Sequence, residues 1–349
     1  MSIPYQNVRI FFCIFCGYNI DKYHQKGIFD VIAKKRQVGE VIPVYKRFTK
    51  EAIVKDFKRN KAAYLMAVPA IIMLVLFSYL PMFGVVMAFE NYKPKLGIFG
   101  SPFVGLKNFL DFFQSIYFVR VVKNTLILSG LQLLIEFPAS IIFALLLNEV
   151  RTKWFKSVTQ TISYMPNFIS MVVVSGIIID FCSSKGVLTT FLSNFTGSNQ
   201  NLLSVPGNWR AIYIISDLWQ GLGMGSIVFL AALAGIDQEL YEAAVIDGAN
   251  RWKQTIHVTL SGIMPTIIIM LIMRVGMMMS VGSEKTILLY NSQVYETADI
   301  ISSYVYRKGL VEFNYGYSTA VSLFNSVINF TLLVVTNHVS KKASETSLF

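Results

Sequence analysis

The sequence predicts an all-α protein that crosses a membrane with six helices. Hydrophobic residues make up 54% of the 349 residues and charged residues only 15%, whereas a soluble domain averages about 25% charged residues. Six apolar runs are long enough to cross the hydrocarbon core, which takes about 17 to 25 helical residues. These runs lie at 64–89, 118–147, 158–182, 211–235, 262–282 and 316–339. Residues 64–339 are therefore predicted to form one transmembrane domain.

The segments on either side of that domain are less apolar. Residues 1–63 are predicted to be a cytoplasmic extension, and residues 340–349 a cytoplasmic tail. The apolar run within 1–20 is too short to span as a helix, and it lacks the cleavage site of a secretory signal. It is interpreted as an interfacial segment, a disordered tail or the result of an upstream start codon. From Lys46 to Lys61 a basic amphipathic pattern predicts either a helix on an anionic leaflet or a plain positive flank.

The distribution of basic residues predicts the orientation, because Lys and Arg are retained on the cytoplasmic side. With the N-terminus inside, fourteen Lys and Arg fall in the cytoplasmic segments 44–63, 148–157, 236–261 and 340–349. The outer loops 90–117, 183–210 and 283–315 hold eight, and Arg120 with Lys123 raises the outer count to ten. Both termini and the loop 237–261 are therefore predicted to be cytoplasmic. In the longest outer loop, one helix is predicted near 294–307, with Val294, Ala298, Ile301 and Val305 on one face.

The loop 237–261 is charged and contains glycine, although it lies between two long apolar runs. Acidic residues at Asp237 and Glu239 precede an apolar stretch, which predicts a short helix that begins there and ends near Gly248. The small side chains of Ala243, Ala244 and Gly248 leave a surface of low relief. The segment is interpreted either as a solvated turn or as a surface on which another protein docks.

The motif in this loop is Glu242-Ala243-Ala244, then Gly248 after three residues, then Val258-x-Leu260. It resembles the EAA loop of importer permeases that a separate ATPase drives. Most of the chain from Phe57 to Lys342 is similar to the polysaccharide-type sugar permeases of ABC importers. The similarity is carried by five further blocks, at 59–70, 91–109, 161–170, 215–254 and 288–310.

This resemblance implies the type I ABC importer permease fold and a subunit in the cell membrane that imports an oligosaccharide or polysaccharide fragment. It implies a second permease subunit, two ATPase subunits that carry ATP and Mg, and an extracytoplasmic sugar-binding protein, with no cofactor in this chain. Membrane lipid surrounds the subunit. The outer loops either receive the binding protein or cap the bundle. The residues implied to contact the ATPase are Glu242, Ala243, Ala244, Asp247 and Gly248.

One position departs from the pattern of the family. The motif usually ends in Leu-Pro, and this chain has Leu260-Ser261, with the nearest proline at Pro265. Proline at this position would help to set the first turn of the next span. Because serine is a good residue at a helix start, Ser261 is expected to cap the fifth span instead.

Four ionisable residues stand out within the predicted spans, where a charge usually faces a cavity or a partner. Glu136 lies about eleven residues and Arg274 about twelve residues from the inner end of their spans, which places both roughly 17 Å above the cytoplasmic boundary. An ion pair between them is predicted, and the alternative is that each meets water in the translocation path. Asp180 and Asp217 lie near outer ends and are expected to reach the interface.

A cluster in the fourth span predicts contact with sugar. Asp217, Trp219 and Gln220 combine polar side chains with an aromatic face, and the glycines that follow within 221–225 permit a kink or close helix packing. The alternative is that Trp219 anchors the helix at the interface. Tyr290 and Asn291, in the outer loop, are a second candidate set.

Other classes of function have little support. The net charge of +11 does not indicate nucleic-acid binding, because the basic residues flank apolar runs. No metal site is predicted from Cys13-x-x-Cys16, which has no second ligand pair.

There is no catalytic constellation and no GxxxxGK[ST] phosphate loop, so ATP hydrolysis is expected on another chain. The remaining alternative is an ion-coupled secondary transporter, which usually has internal repeats and midplane acids; only Glu136 is predicted near midplane.

Overall fold

The computed structural model describes residue 57 and residues 59–344. The predicted features at residues 1–20, most of the basic segment that ends at Lys61, and residues 345–349 lie outside these residues. The chain divides into two units, Met1–Leu76 and Phe77–Phe349. In the first unit, α1 (Lys61–Leu74) contains Pro69 and has no buried residue, as expected of an apolar helix whose surroundings are lipid or another subunit.

Helices dominate the rest of the described chain. A π turn at Val75–Tyr79, an α turn at Leu80–Met82 and a 3-10 segment at Phe83–Phe89 follow α1, and a single turn lies at Gly97–Gly100. The later helices are α2 (Lys107–Gln114), α3 (Phe118–Glu149), α4 (Lys153–Tyr164), α5 (Met171–Cys182), α6 (Val187–Thr196), α7 (Pro206–Ala234), α8 (Gln238–Ile246), α9 (Arg251–Gln254), α10 (Ser261–Gly276), α11 (Ser283–Leu289), α12 (Tyr295–Ala298), α13 (Ile301–Tyr306) and α14 (Tyr315–Ser344).

Within residues 59–344, six helical stretches are long and apolar enough to cross a membrane, which confirms the predicted all-α, six-span fold. They are Lys61–Phe89, Phe118–Glu149, Met171–Phe195, Pro206–Ala234, Arg251–Gly276 and Tyr315–Lys342. Four of them lie close to their predicted positions, and the third and fifth do not. Helix α14 also continues to Ser344, so the first half of the predicted tail is helical.

The third span differs because the apolar run 158–182 contains a break. Helix α4 ends at Tyr164, a 3-10 turn covers Met165–Phe168, and Ile169 and Ser170 are extended before α5 begins. Pro166 has no backbone N–H to continue the α-helical pattern. The prediction of one continuous span at 158–182 is therefore wrong. The long apolar stretch found there is Met171–Phe195, of which α5 is the helix before the chain turns between Cys182 and Val187.

The break packs closely against α7. A Cβ atom added at Gly223 would overlap the carbonyl group of Ser163, so only glycine allows the two backbones to approach this closely. The neighbouring Gln220 is buried, and its Nε2 donates to the carbonyl oxygen of Ile169 at 3.4 Å. These contacts fix the segment that connects α4 to α5.

Gly223→Ala is expected to destabilise the protein by about 1 to 3 kcal/mol, because the added methyl group must displace backbone. Gly221 on the same helix is the matched control. A Cβ atom there meets nothing within 4 Å, so Gly221→Ala is expected to be neutral or to stabilise by up to about 1 kcal/mol through helix propensity. Thermal unfolding of both variants in detergent checks this. Equal melting temperatures would contradict the close approach.

The fifth span begins eleven residues earlier than predicted, and Ser261 does not cap it. The Asn250 side chain caps α9 by accepting from the Lys253 N–H, and a π-helical turn at Thr255–Leu260 joins α9 to α10 without interruption. The Ser261 hydroxyl donates back to the carbonyls of His257 and Val258. Serine keeps its backbone N–H in the helical pattern, so the chain has no proline to end the helix at this position.

The loop after α10 contains two short helices where one was predicted over 294–307. Asp299 and Ile300 are extended and separate α12 from α13. The reason is the Asp299 side chain, which accepts from the Ser303 hydroxyl at 2.9 Å and pairs with Arg307. Such side-chain bonds compete with a continuous helix.

The loops 90–117, 183–205 and 277–314 share one end of the bundle, called here the long-loop end. A buried polar network ties the last loop to the spans there. Asn124 Nδ2 donates to the carbonyl oxygens of Glu296 and Asp299 at 2.9 and 3.1 Å, and Arg210 Nη2 donates to Asn124 Oδ1 at 2.7 Å. Burial works to lower the pKa of Arg307, but its hydrogen bonds to Asp299 outweigh this and raise it. These hydrogen bonds therefore hold the loop 277–314 against α3 and α7 at the long-loop end.

Candidate functional site

Two adjoining cavities lie among α3, α7 and α10. Their volumes are about 470 and 400 Å³, and both are lined by Glu136, Asp217 and Arg274, together with Gly221 and Met277. Ionisable groups within spanning helices are expensive unless they face a cavity or a partner. These cavities are therefore the strongest candidate for a site at which a polar molecule contacts the spans.

The structure brings the predicted pair Glu136 and Arg274 together. Arg274 Nη2 donates to Glu136 Oε2 at 2.6 Å. The Arg274 side chain is 46% exposed and that of Glu136 is 14% exposed. The other carboxylate oxygen, Glu136 Oε1, is buried and has no hydrogen-bond partner. The pair links α3 to α10; its importance for folding or transport stays a prediction.

Asp217 does not simply reach the interface, as was expected from its position near the end of a span. Its carboxylate accepts from Lys285 Nζ at 3.2 Å and from Gln132 Nε2. Lys285 is only 1% exposed, and its Nζ also donates to the Tyr213 carbonyl oxygen at 3.3 Å and lies 4.9 Å from the Tyr213 ring centroid. The expectation for Asp217 is therefore corrected: it is an internal ion-pair partner.

Lys285 is a residue that the sequence analysis missed. It lies in α11, in a loop at the long-loop end, where a lysine is ordinarily solvated. Burial lowers the pKa of Lys285, and the charge and hydrogen bond of Asp217 oppose that decrease. Its lining of the 470 Å³ cavity depends on how the loop folds back on α7, which no local pattern reveals.

The other predicted sugar-contacting residues do not line either cavity with Asp217. Trp219 is 53% exposed on another face of α7, and Gln220 is buried against the break after α4. Tyr290 packs against Tyr295 with ring centroids 5.0 Å apart. Asn291 accepts from the Gln293 N–H at 3.0 Å. Of the five predicted residues, the structure places Asp217 alone at the cavities.

The short helix predicted between Asp237 and Gly248 is confirmed as α8. Asp237 Oδ1 accepts from the Glu239 N–H at 3.1 Å, and Gly248 has a φ of +76°, which favours glycine beyond the helix end. Helix α8 has no buried residue, and Ile246 is 85% exposed. Leu240 and Val245 on the same helix are 54% and 61% exposed, so α8 presents three apolar side chains to its surroundings.

A groove of about 710 Å³ lies beside α8. It is lined by Glu242 and Val245 together with the ends of α3 and α9, including Arg151 and Arg251. Ala243, Asp247 and Gly248 are exposed and Ala244 is half-buried. A hydrogen bond of 3.0 Å joins the Tyr241 hydroxyl to Thr259 Oγ1. This bond links α8 to the start of the fifth span.

Among residue 57 and residues 59–344, no three His, Cys, Asp or Glu side chains are grouped so that they could hold a metal ion. At the cavities, Arg274 pairs with Glu136 and Lys285 with Asp217, while Glu284 also lines the larger cavity. Their chemistry suits the binding of a polar ligand.

Residues 136–345 match the family described as the binding-protein-dependent transport system inner membrane component. The chain belongs to this family. Protein LplB of Bacillus subtilis (strain 168) is 43% identical over 293 residues, covering 84% of this chain and 92% of LplB. The polygalacturonan/rhamnogalacturonan transport system permease protein YteP of the same organism is 38% identical, covering 88% and 96%.

Solved structures agree with the sequence relatives. A chain of a bacterial alginate ABC transporter in complex with an alginate pentasaccharide-bound periplasmic protein superposes with a TM-score of 0.77 and 42% identity, covering 84% of this chain and 99% of that one. This confirms the ABC importer permease fold. The protein is a multi-pass membrane component of a transport system and not an enzyme. The relatives give no support to the alternative of an ion-coupled secondary transporter.

Proposed function

We propose that this chain is one of two permease subunits of an ATP-driven importer that carries an oligosaccharide or polysaccharide fragment across the cell membrane. The observation that supports this most strongly is the pair of cavities among three spanning helices, lined by Glu136, Asp217 and Arg274. Sugars offer many hydroxyl groups, and ion-paired side chains are suited to bind them. The names of the relatives, which refer to polygalacturonan, rhamnogalacturonan and alginate, favour a carbohydrate.

The ATPase is proposed to dock on α8. Glu242, Ala243, Ala244, Asp247 and Gly248 would form the contact, and ATP with Mg would be bound by the ATPase. The exposure of the apolar residues on α8 supports this role. The excess of Lys and Arg on the same side of the predicted topology supports a cytoplasmic position for α8 and for both termini.

The remaining partners follow from the same proposal. A second permease subunit would complete the translocation path, and a second ATPase subunit would dock on it. An extracytoplasmic sugar-binding protein would deliver the sugar to the long-loop end. Membrane lipid would surround the exposed apolar faces, such as that of α1. Trp219, Gln220, Tyr290 and Asn291 remain predicted sugar contacts that the cavity lining does not support.

Reconstitution of the full transporter in proteoliposomes tests the proposal. ATP-dependent uptake of a labelled oligosaccharide is expected, and it should stop when the partner ATPase cannot hydrolyse ATP. Ala243→Cys should crosslink to the ATPase, whereas Ser183→Cys, at the long-loop end, should not. Uptake that continues without ATP hydrolysis, or crosslinking from Ser183→Cys alone, would overturn the assignment.

A further inference from the structure

We propose that Glu136 and Arg274 form a subsite for two neighbouring hydroxyl groups of a sugar ring, and that this subsite does not bind a sugar carboxylate. The inference rests on the proposed function and specifies what the cavity recognises. It also identifies Arg274 as a residue that contacts the substrate directly.

The first argument is the unused hydrogen-bonding capacity of the pair. Arg274 donates to Glu136 through Nη2 only, and its side chain is 46% exposed. A guanidinium has five N–H donors, so most of them remain available on the cavity side. Glu136 Oε1 is buried without a partner. Because the terminal torsion of a glutamate is broad, a modest rotation can present this oxygen to a ligand.

The two open groups complement a diol. One hydroxyl can donate to the free oxygen of Glu136 while its neighbour accepts from Arg274, since a hydroxyl both donates and accepts. In this arrangement Glu136 Oε1 gains a hydrogen-bond donor, and the ion pair with Arg274 stays intact. Vicinal hydroxyls in this geometry are a general feature of pyranose rings. The subsite would therefore recognise two neighbouring ring hydroxyls and tolerate different substituents elsewhere on the ring.

The second argument is the charge of the cavity wall. The lining contains three carboxylates, from Glu136, Asp217 and Glu284, and two cations, from Arg274 and Lys285. Each cation is already within hydrogen-bond distance of a carboxylate. A substrate carboxylate would find no uncompensated cation on this wall, and a buried unpaired charge is strongly unfavourable.

The two ion pairs therefore have different roles. Lys285 is buried and held by Asp217 and by Tyr213, so it has no exposed surface to offer. Arg274 is exposed and held by one bond only. If the transported sugar is acidic, as alginate is in the structurally related transporter, its carboxylates would be paired by the second permease subunit.

The test uses the full transporter in proteoliposomes and two probes, a galacturonic acid trimer and its methyl ester. The ester keeps every ring hydroxyl and removes the charge. Arg274→Gln and Glu136→Gln are each expected to raise the KM for uptake by roughly tenfold or more, as expected when a hydrogen bond to a charged group is lost. The increase should be the same for acid and ester. Taking the ratio of variant to wild type for each probe cancels any selection by the binding protein.

Further variants separate contact from folding. Arg274→Lys keeps the charge and loses the planar donor fork, so it should give a smaller KM increase that is again equal for both probes. Melting temperatures in detergent identify variants that fail to fold. An increase confined to the acid, or no change with either probe, would overturn the inference. If wild type imports neither these trimers nor the corresponding mannuronic acid pair, the proposed function itself has failed.

Discussion

Glu242→Lys is expected to reduce ATP-driven uptake by at least about tenfold while membrane insertion and folding stay normal. Glu242 is exposed on α8 and lines the groove of about 710 Å³ beside the helix. It makes no ion pair with any other described residue. A substitution at such a position changes folding stability by only about 0.5 kcal/mol. Docking of the ATPase would bury Glu242, and loss of one partner of a buried charge pair costs about 2 to 5 kcal/mol of binding, so the defect should appear in the coupling to the ATPase.

Uptake and ATP hydrolysis measured in the same proteoliposomes check this prediction. Sugar-stimulated ATP hydrolysis should fall together with uptake, because the ATPase would no longer bind α8 tightly. The matched control for membrane insertion and folding is Glu312→Lys, an equal reversal of charge at an exposed position of the long-loop end. Glu312 pairs with Lys308 at 2.6 Å, but an exposed i,i+4 pair is worth only about 0.5 kcal/mol. Normal uptake by Glu242→Lys would count against docking at α8.

Features with local causes could be predicted from the sequence. Helix α8 follows from an acidic cap at Asp237 and from a glycine at 248 that adopts a positive φ, and both signals lie within twelve residues. The pairing of Glu136 with Arg274 was predicted from equal depths in their spans, using the helical rise of about 1.5 Å per residue, and the structure brings the two side chains within 2.6 Å. The depth of Arg274 was counted from residue 262, however, and the fifth span begins at Arg251, so the count alone does not explain why the two residues meet.

Features that depend on distant contacts could not be predicted. The last turn of α4, just before the break at Met165–Phe168, is packed against Gly223, and Lys285 at the cavity pairs with a carboxylate 68 residues away. A hydropathy profile contains no information about either contact, because the residues involved are distant in sequence. The predicted sugar cluster is divided between different surroundings for another reason: Asp217, Trp219 and Gln220 are neighbours in sequence, but a helix turns by about 100° per residue. Their side chains therefore leave α7 on different faces, and only one face borders the cavities.

Asp299→Asn is expected to cause the largest loss of stability of any single substitution proposed for this chain. The Asp299 side chain is fully buried between α12 and α13. Its two carboxylate oxygens accept from Arg307 at 3.2 and 2.6 Å, and Arg120 lies 3.7 Å away. Neutralising Asp299 leaves two cations without a compensating charge. Breaking a buried pair in this way costs about 3 to 5 kcal/mol.

Thermal unfolding and size-exclusion profiles in detergent check the prediction, with Asp299→Asn showing a lower melting temperature and more aggregate. Glu312→Gln, which removes a carboxylate from an exposed pair, is the control and should change stability by less than about 1 kcal/mol. The double variant Asp299→Leu with Arg307→Met should recover part of the loss, since apolar replacement of a buried pair is often close to neutral. Failure of Asp299→Asn to lower the melting temperature would mean that the extended break between α12 and α13 is held by its backbone contacts to Asn124 and not by the buried charge.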